Sequence, residues 1–201
     1  MTLSAVRPAA VRPAAVTPAG ARVRDRLLVL GLGNVLLGDD GLGPVALARL
    51  EHDYRFAPEV RLVDGGTLGL TLLDELAQAR HAILVDAVAT GEAPGTLVRL
   101  DGDAVRDAVR ERLSVHQVGV ADLLDVARLV GCYPDSVVLL GLVPGSIGLQ
   151  VGRTAAVESA LSGLVAAVAW GVRSLGYECS EPTRRGGGDR PIHDLIRHFG
   201  V

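Results

Sequence analysis

The 201-residue chain contains no lysine; its 20 basic side chains are all arginine, set against 23 acidic ones, for a net charge of −3. Without an excess of positive charge there is no electrostatic footprint for nucleic acid or an anionic membrane surface, and neither is expected as a partner. The missing lysine also excludes a phosphate loop ending in Gly-Lys-Ser/Thr. The only two cysteines, Cys132 and Cys179, lack C-x-x-C spacing and build no framework, so free thiols in a reducing cytosol are expected. Aromatic residues are 3% of the chain and hydrophobic residues 49%, so the core has to come from Leu, Val and Ala. No uninterrupted apolar run approaches the roughly 20 residues that span a bilayer, and a cytoplasmic location is expected. There is no H-E-x-x-H, which removes the common helical zinc-protease arrangement.

What is present falls into three parts. Residues 1–25 carry a near repeat of five, from Ala5-Val6-Arg7-Pro8-Ala9 to Ala15-Val16-Thr17-Pro18-Ala19. Proline at every fifth position forbids a continuous helix, and few large apolar groups are available to bury, so a disordered extension is expected. Residues 26–178 read as one α/β domain. Residues 179–201 read as a flexible tail, with a Gly-rich linker at Gly186-Gly187-Gly188 and a short helical pattern over Pro191–Phe199. His193 and His198 in that tail are not at i, i+4 spacing and do not form a metal pair.

The domain opens on Leu27–Gly43, LLVLGLGNVLLGDDGLG. The apolar run Leu27–Leu30 predicts a strand buried on both faces. Gly31-Leu32-Gly33-Asn34 predicts a turn, and two adjacent carboxylates, Asp39 and Asp40, precede a helical pattern beginning at Pro44. Gly31 and Gly33 fit a dinucleotide fingerprint, but Leu36 occupies its third glycine position, and two carboxylates would repel a phosphate there. Further strands are expected at Val60–Val63, Ala82–Val85, Thr96–Leu100 and Val137–Leu142. Asp64-Gly65-Gly66-Thr67 reads as a tight turn with Thr67 as a helix entry. Only nine residues separate Asp86 from Thr96, too few for a helical crossover, so the Thr96–Leu100 strand is expected to run antiparallel. Helices are expected over Leu68–Ala79, Ala104–Leu113, from the capping box Ser114-Val115-His116-Gln117 to Val130, and over Thr154–Leu175. The fold class is therefore α/β: a three-layer αβα sandwich around a mixed, mostly parallel five-stranded sheet with one antiparallel strand.

Three side chains carry the candidate chemistry: Asp40 after the first strand, Asp86 as the one charge closing an apolar strand, and His116 in the first turn of a helix. A doubly wound sheet whose order reverses at its first strand places the first and third strands side by side, and with them Asp40 and Asp86. Two carboxylates and an imidazole suit a borderline divalent ion such as nickel, zinc or cobalt. Taken alone, each has a structural alternative: an acidic helix start, a capping carboxylate, a surface histidine.

Taken together, Gly31-Leu32-Gly33-Asn34, Asp39-Asp40-Gly41 with Gly43, Asp64-Gly65-Gly66-Thr67, Asp86-Ala87 and Ser114-Val115-His116-Gln117 resemble the hydrogenase maturation proteases across roughly Leu27–Leu175. The resemblance implies an endopeptidase, aspartic-type or metal-dependent, that trims the C-terminal extension of a nickel–iron hydrogenase large-subunit precursor after nickel insertion. It implies that Asp40, Asp86 and His116 are the metal-contacting and catalytic residues, with Asp64 and Asp39 supporting. Nickel is then the substrate's own ion, not a resident cofactor, and a monomer is the expected state. Gly145–Gly152 departs from the form the family leads one to expect. A non-enzymatic nickel-binding or chaperone module, or a small-molecule hydrolase on a similar sheet, are the competing readings.

Overall fold

The computed structural model describes residues 26–110 and 115–181, with the side chains of 109–110 and 115–118 left aside. The expectations for residues 1–25, for Ser114 as a cap, and for the Gly-rich linker and the helical pattern at Pro191–Phe199 lie outside the described residues.

Five strands form one sheet: β1 (Arg26–Leu32), β3 (Val60–Gly66), β4 (Ala79–Ala87), β5 (Leu97–Asp101) and β6 (Ser136–Leu142), in the order β3-β1-β4-β6-β5. β1 pairs in parallel with both β3 and β4, and β4 with β6. β5 alone is antiparallel, pairing Leu97 with Leu142 and Asp101 with Val138, as the short connection after β4 requires. The chain moves from β1 to one side for β3, then returns to the other side for β4. The switch point therefore lies at β1, between the two strands whose ends were expected to carry the candidate carboxylates.

Alternation along the strands divides the apolar residues between two cores. Leu27, Val29, Ile83, Val85, Leu140 and Leu142 face α1 (Leu42–Asp53) and α5 (Ala155–Ser174). Leu28, Leu30, Ala82, Leu84, Val137 and Leu139 face α2 (Leu73–Gln78), α3 (Asp103–Arg110) and α4 (Val115–Leu129). The helices supply mainly Leu, Val and Ala to both layers, so an aromatic-poor chain fills its interior by number of aliphatic contacts. This is the three-layer α/β architecture read from sequence.

Several boundaries differ. β3 continues through Asp64 and Gly66, because both pair with the end of β1, where a free turn was expected. Thr67 caps no helix: a 3-10 turn at Gly69–Leu72 starts after Leu68, and the α-helix follows only at Leu73. Arg55–Phe56 (β2) and Cys179–Ser180 (β7) pair antiparallel as a separate two-stranded unit. That pairing, with Cys179 buried against the α1 and α5 core, carries the folded part past the expected boundary at 178. α5 is 20 residues long and, although Glu158 and Arg173 interrupt its apolar run, meets the length and composition of a membrane span. Here its Val157, Leu161, Leu164, Val165 and Val168 are buried on the sheet, which accounts for the apolar composition.

The helix start after β1 is seated by backbone contact. A Cβ on Gly43 would lie 2.3 Å from both the amide nitrogen and the carbonyl oxygen of Leu32, and 2.4 Å from the carbonyl oxygen of Val85. No rotamer relieves a clash with backbone, so α1 can sit this close to β1 and β4 only with glycine at 43. Gly43→Ala is expected to cost at least about 2 kcal/mol, the scale of an overpacked core. Urea and thermal unfolding check this; the corresponding drop in Tm is about 4–8 °C for a chain of this size.

Candidate active site

The acidic stretch after β1 folds into a 3-10 turn, Gly38–Gly41, lying directly before α1. The turn packs against the end of β4, and all four of its residues are buried. Gly33 makes this possible. Its φ is 115°, and a Cβ there would fall 1.8 Å from the carbonyl oxygen of Asp40, so the chain leaving β1 lies flat on the turn.

The two adjacent aspartates have different surroundings. Asp39 is fully buried and accepts hydrogen bonds from four donors: the Gly145 amide at 2.8 Å, the Ser146 amide at 3.1 Å, the Thr154 amide at 2.7 Å and the Thr154 hydroxyl at 2.8 Å. Thr154 occupies the N-cap position of α5 but turns its hydroxyl to Asp39 instead of to its own helix. Burial acts to raise the Asp39 pKa; the bonds from Thr154, Gly145 and Ser146 together outweigh it and hold the carboxyl below its ordinary 3.8. Asp39 is thus a structural anion, the supporting role expected for it. Its partners were not foreseen, because they are more than a hundred residues distant in sequence; the one local signal was the Asp-Asp doublet itself.

Asp40 is 1% exposed and accepts a hydrogen bond from the Asn34 amide at 2.8 Å. Asn34 in turn accepts from the Leu36 amide at 3.0 Å, which shapes the loop that returns to the turn. Asp86 is 2% exposed, stands one residue before the end of β4, and accepts from the Ala87 amide at 2.7 Å through Oδ1. Both carboxylates therefore lie at the carboxyl-end side of neighbouring parallel strands, where the sheet order reverses. Asp64 is exposed and accepts from the Gly66 amide at 3.0 Å, stabilising the end of β3.

His116 falls in the first turn of α4. That helix is seated on the turn after β3: a Cβ on Gly119 would lie 3.1 Å from the Cα of Gly69. The backbone of the first turn of α4 is thereby brought to the same end of the sheet as the two aspartates. Its imidazole is outside the described side chains. Among the described residues no group of three His, Cys, Asp or Glu is arranged to hold a metal ion. A separate apolar cavity of about 230 Å³ lies on the α5 face between Ile83, Val138, Leu140 and Trp170, and includes neither aspartate.

Comparison with known proteins bears directly on this arrangement. The sequence profile of the HycI hydrogenase maturation protease family matches residues 45–169, a span that includes Asp64, Asp86 and His116 and starts just after Asp40. The chain is 36% identical over 154 residues to the hydrogenase 2 maturation protease of Escherichia coli K12, covering 76% of this chain and 94% of that protein. It is 38% identical over 141 residues to the hydrogenase expression/formation protein HoxM of Cupriavidus necator, covering 67% and 70%. The solved structure of the hydrogenase maturating endopeptidase HybD from E. coli superposes with a TM-score of 0.76 at 34% identity, over 79% of this chain and 98% of that one. Sequence and fold together therefore define a hydrolase of this group. The chain belongs to the hydrogenase maturation protease family, and its activity class is endopeptidase.

The buried Asp39 anchor generates a pH-dependent stability with a defined sign. Its folded pKa lies below the unfolded value, so its contribution is fully present above the ordinary 3.8 and is lost as pH falls through the lower folded value. Asp39→Asn keeps the shape but presents an amide to four donors. It is expected to cost about 2–4 kcal/mol near neutral pH and to flatten the fall in stability below pH 4 relative to the parent chain. Urea unfolding at pH 7 and pH 3 measures both effects.

Proposed function

We propose that this chain removes the C-terminal extension from the large-subunit precursor of a nickel–iron hydrogenase after nickel has been inserted. The observation that supports this reading is that Asp40 and Asp86, both buried, follow β1 and close β4, neighbouring parallel strands at the switch point of an endopeptidase-family sheet. In this reading Asp40, Asp86 and His116 hold the precursor through its nickel, which is part of the substrate and not a resident cofactor. The donor set fits such an ion: two carboxylate oxygens and one imidazole nitrogen suit a borderline divalent cation and leave positions for the precursor's own ligands.

Docking through the ion places the scissile peptide over the crevice. Water activated there, by one of the carboxylates or by the nickel, attacks the peptide carbonyl, and the leaving amine takes a proton. Whether the formal type is aspartic or metal-dependent, the physical requirement is the same: the aspartates must be ionised and already oriented before the substrate arrives. Asn34 orients Asp40, the Ala87 amide orients Asp86, and Asp39 holds the whole turn in place. The substrate's chemistry also gives a reason for a nickel check. A protease that gains affinity only from a loaded ion leaves an empty precursor uncut. The reading includes action as a monomer in the cytoplasm, on a protein partner.

Intact mass of the precursor, nickel-loaded and nickel-free, measures the reaction after incubation with this chain. Loss of a C-terminal peptide from the loaded sample only is expected; no loss from a correctly loaded and folded precursor overturns the reading. His116→Ala is expected to slow trimming by at least about 100-fold, the scale of a lost acid–base or ligand group, with thermal unfolding little changed. Retained cleavage removes His116 from its assigned role.

A further inference from the structure

The connection from β6 to α5 is sewn onto the acidic turn by hydrogen bonds. The Asp39 amide donates to the Ser146 carbonyl at 3.1 Å and the Gly38 amide to the Gln150 carbonyl at 3.0 Å. The Gln150 amide donates back to the Leu36 carbonyl at 3.1 Å. The Asp39 carboxylate takes the amides of Gly145, Ser146 and Thr154. All of these bonds use the backbone of the connection, which any residue but proline supplies. One more does not: Thr154 Oγ1 donates to Asp39 Oδ2 at 2.8 Å. Among the described residues it is the one side-chain group of the connection that bonds the turn, so it is the point at which residue identity decides the attachment.

A threonine at a helix N-cap ordinarily accepts from an amide in the first turn of its own helix. Thr154 has the extended backbone of such a cap, with φ −62° and ψ 154°, yet its side chain makes no capping bond. The hydroxyl is spent on Asp39 instead, at the expense of the start of α5. Its methyl is used as well. A Cβ on Gly145 would lie 3.1 Å from Thr154 Oγ1 and 3.3 Å from Thr154 Cγ2, so the beginning of the connection lies flush against this side chain. A local rule set aside in this way points to a functional demand.

The demand is found one peptide bond away. Asp40 follows Asp39 directly, and its carbonyl oxygen would be 1.8 Å from a Cβ on Gly33, so backbone is already pressed against it. The Asn34 amide holds its carboxylate from the same side. Packing this close leaves no slack in which a shift of Asp39 could be absorbed before it reaches Asp40. We propose that Thr154 is a positioning residue for peptide hydrolysis: its hydroxyl fixes the Asp39 carboxylate, and through it the turn that aims Asp40. The start of α5 and the acidic turn then behave as one body. Thr154 itself touches neither the substrate nor the reacting atoms. The inference rests on the role given to Asp40 under the proposed function, and adds to it a residue that is neither acidic nor a histidine.

The test compares the full parent chain with Thr154→Val and Thr154→Ser on the nickel-loaded large-subunit precursor, at a temperature where circular dichroism shows every variant folded. Thr154→Val is expected to lower kcat for trimming by about 10–100-fold, the scale of a reacting group displaced by up to about 1 Å. Thr154→Ser keeps the hydroxyl and is expected to recover most of the rate. Deuterium exchange of the Gly38, Asp39 and Asp40 amides gives a second readout, faster in Thr154→Val and close to the parent in Thr154→Ser. Should Thr154→Val fail to fold, Thr154→Ala repeats both measurements. A parent-like kcat in Thr154→Val alongside faster exchange makes Thr154 a strut alone and overturns the proposal. Unchanged exchange overturns it too, as does an equal loss of rate in Thr154→Val and Thr154→Ser. A parent that does not trim the loaded precursor removes the substrate reading and the rate claim with it; exchange then still reports whether Thr154 holds the turn.

Discussion

The interaction on which the rest of the site depends is the burial of a single carboxylate. Asp39 is taken out of water completely, which for an isolated ion costs several kcal/mol. Four donors offset that cost, three of them backbone amides. Charge-assisted bonds of this kind are the stronger class of protein hydrogen bond. What they join is as important as what they contribute: the turn after the first strand, the loop after the last parallel strand and the first residue of the long C-terminal helix. Three connections at one end of the sheet become one body. Asp40, its neighbour, takes its hydrogen bond from the Asn34 amide instead.

The second constraint is the close approach of backbone to backbone around that turn. Gly33 lies on the carbonyl of Asp40, and Gly43 lies between Leu32 and Val85 with no room for a side chain. The acidic turn is therefore clamped from below by glycine contacts and from the side by the Asp39 bonds. Held on two sides in this way, the turn keeps the buried Asp40 carboxyl in one orientation, on the Asn34 amide.

Much of this was legible in the order of residues. Runs such as Leu27–Leu30 and Ala82–Val85 are apolar at every position because helices cover both faces of the sheet, and the short link before β5 dictated its antiparallel direction. Asp86 stood out as the lone charge closing an apolar strand. Strand ends were harder to place. Asp64 and Gly66 have the composition of a turn, and only their pairing with Gly31 and Leu32 makes them strand. β2 and β7 are two residues each and have no periodicity; they exist because distant segments meet. Asp39 and Asp40 could not be told apart locally either, since the donors that separate their roles come from residues 145, 146 and 154. Local pattern reports burial and direction, whereas long-range partners decide which of two adjacent aspartates anchors the loops around it.

The clasp between Arg55–Phe56 and Cys179–Ser180 lies at the other end of the molecule. β2 follows the C-terminus of α1, which runs back from the acidic turn, so the clasp sits at the amino ends of the parallel strands, and Arg26 starts β1 at the same base. Both described ends of the chain are thus about a strand length, some 20 Å, from the crevice. Among the described residues, the opposite end of the sheet is left to the acidic turn and the loops that anchor it, so the folding of the clasp and the geometry around Asp40 and Asp86 are set by separate contacts.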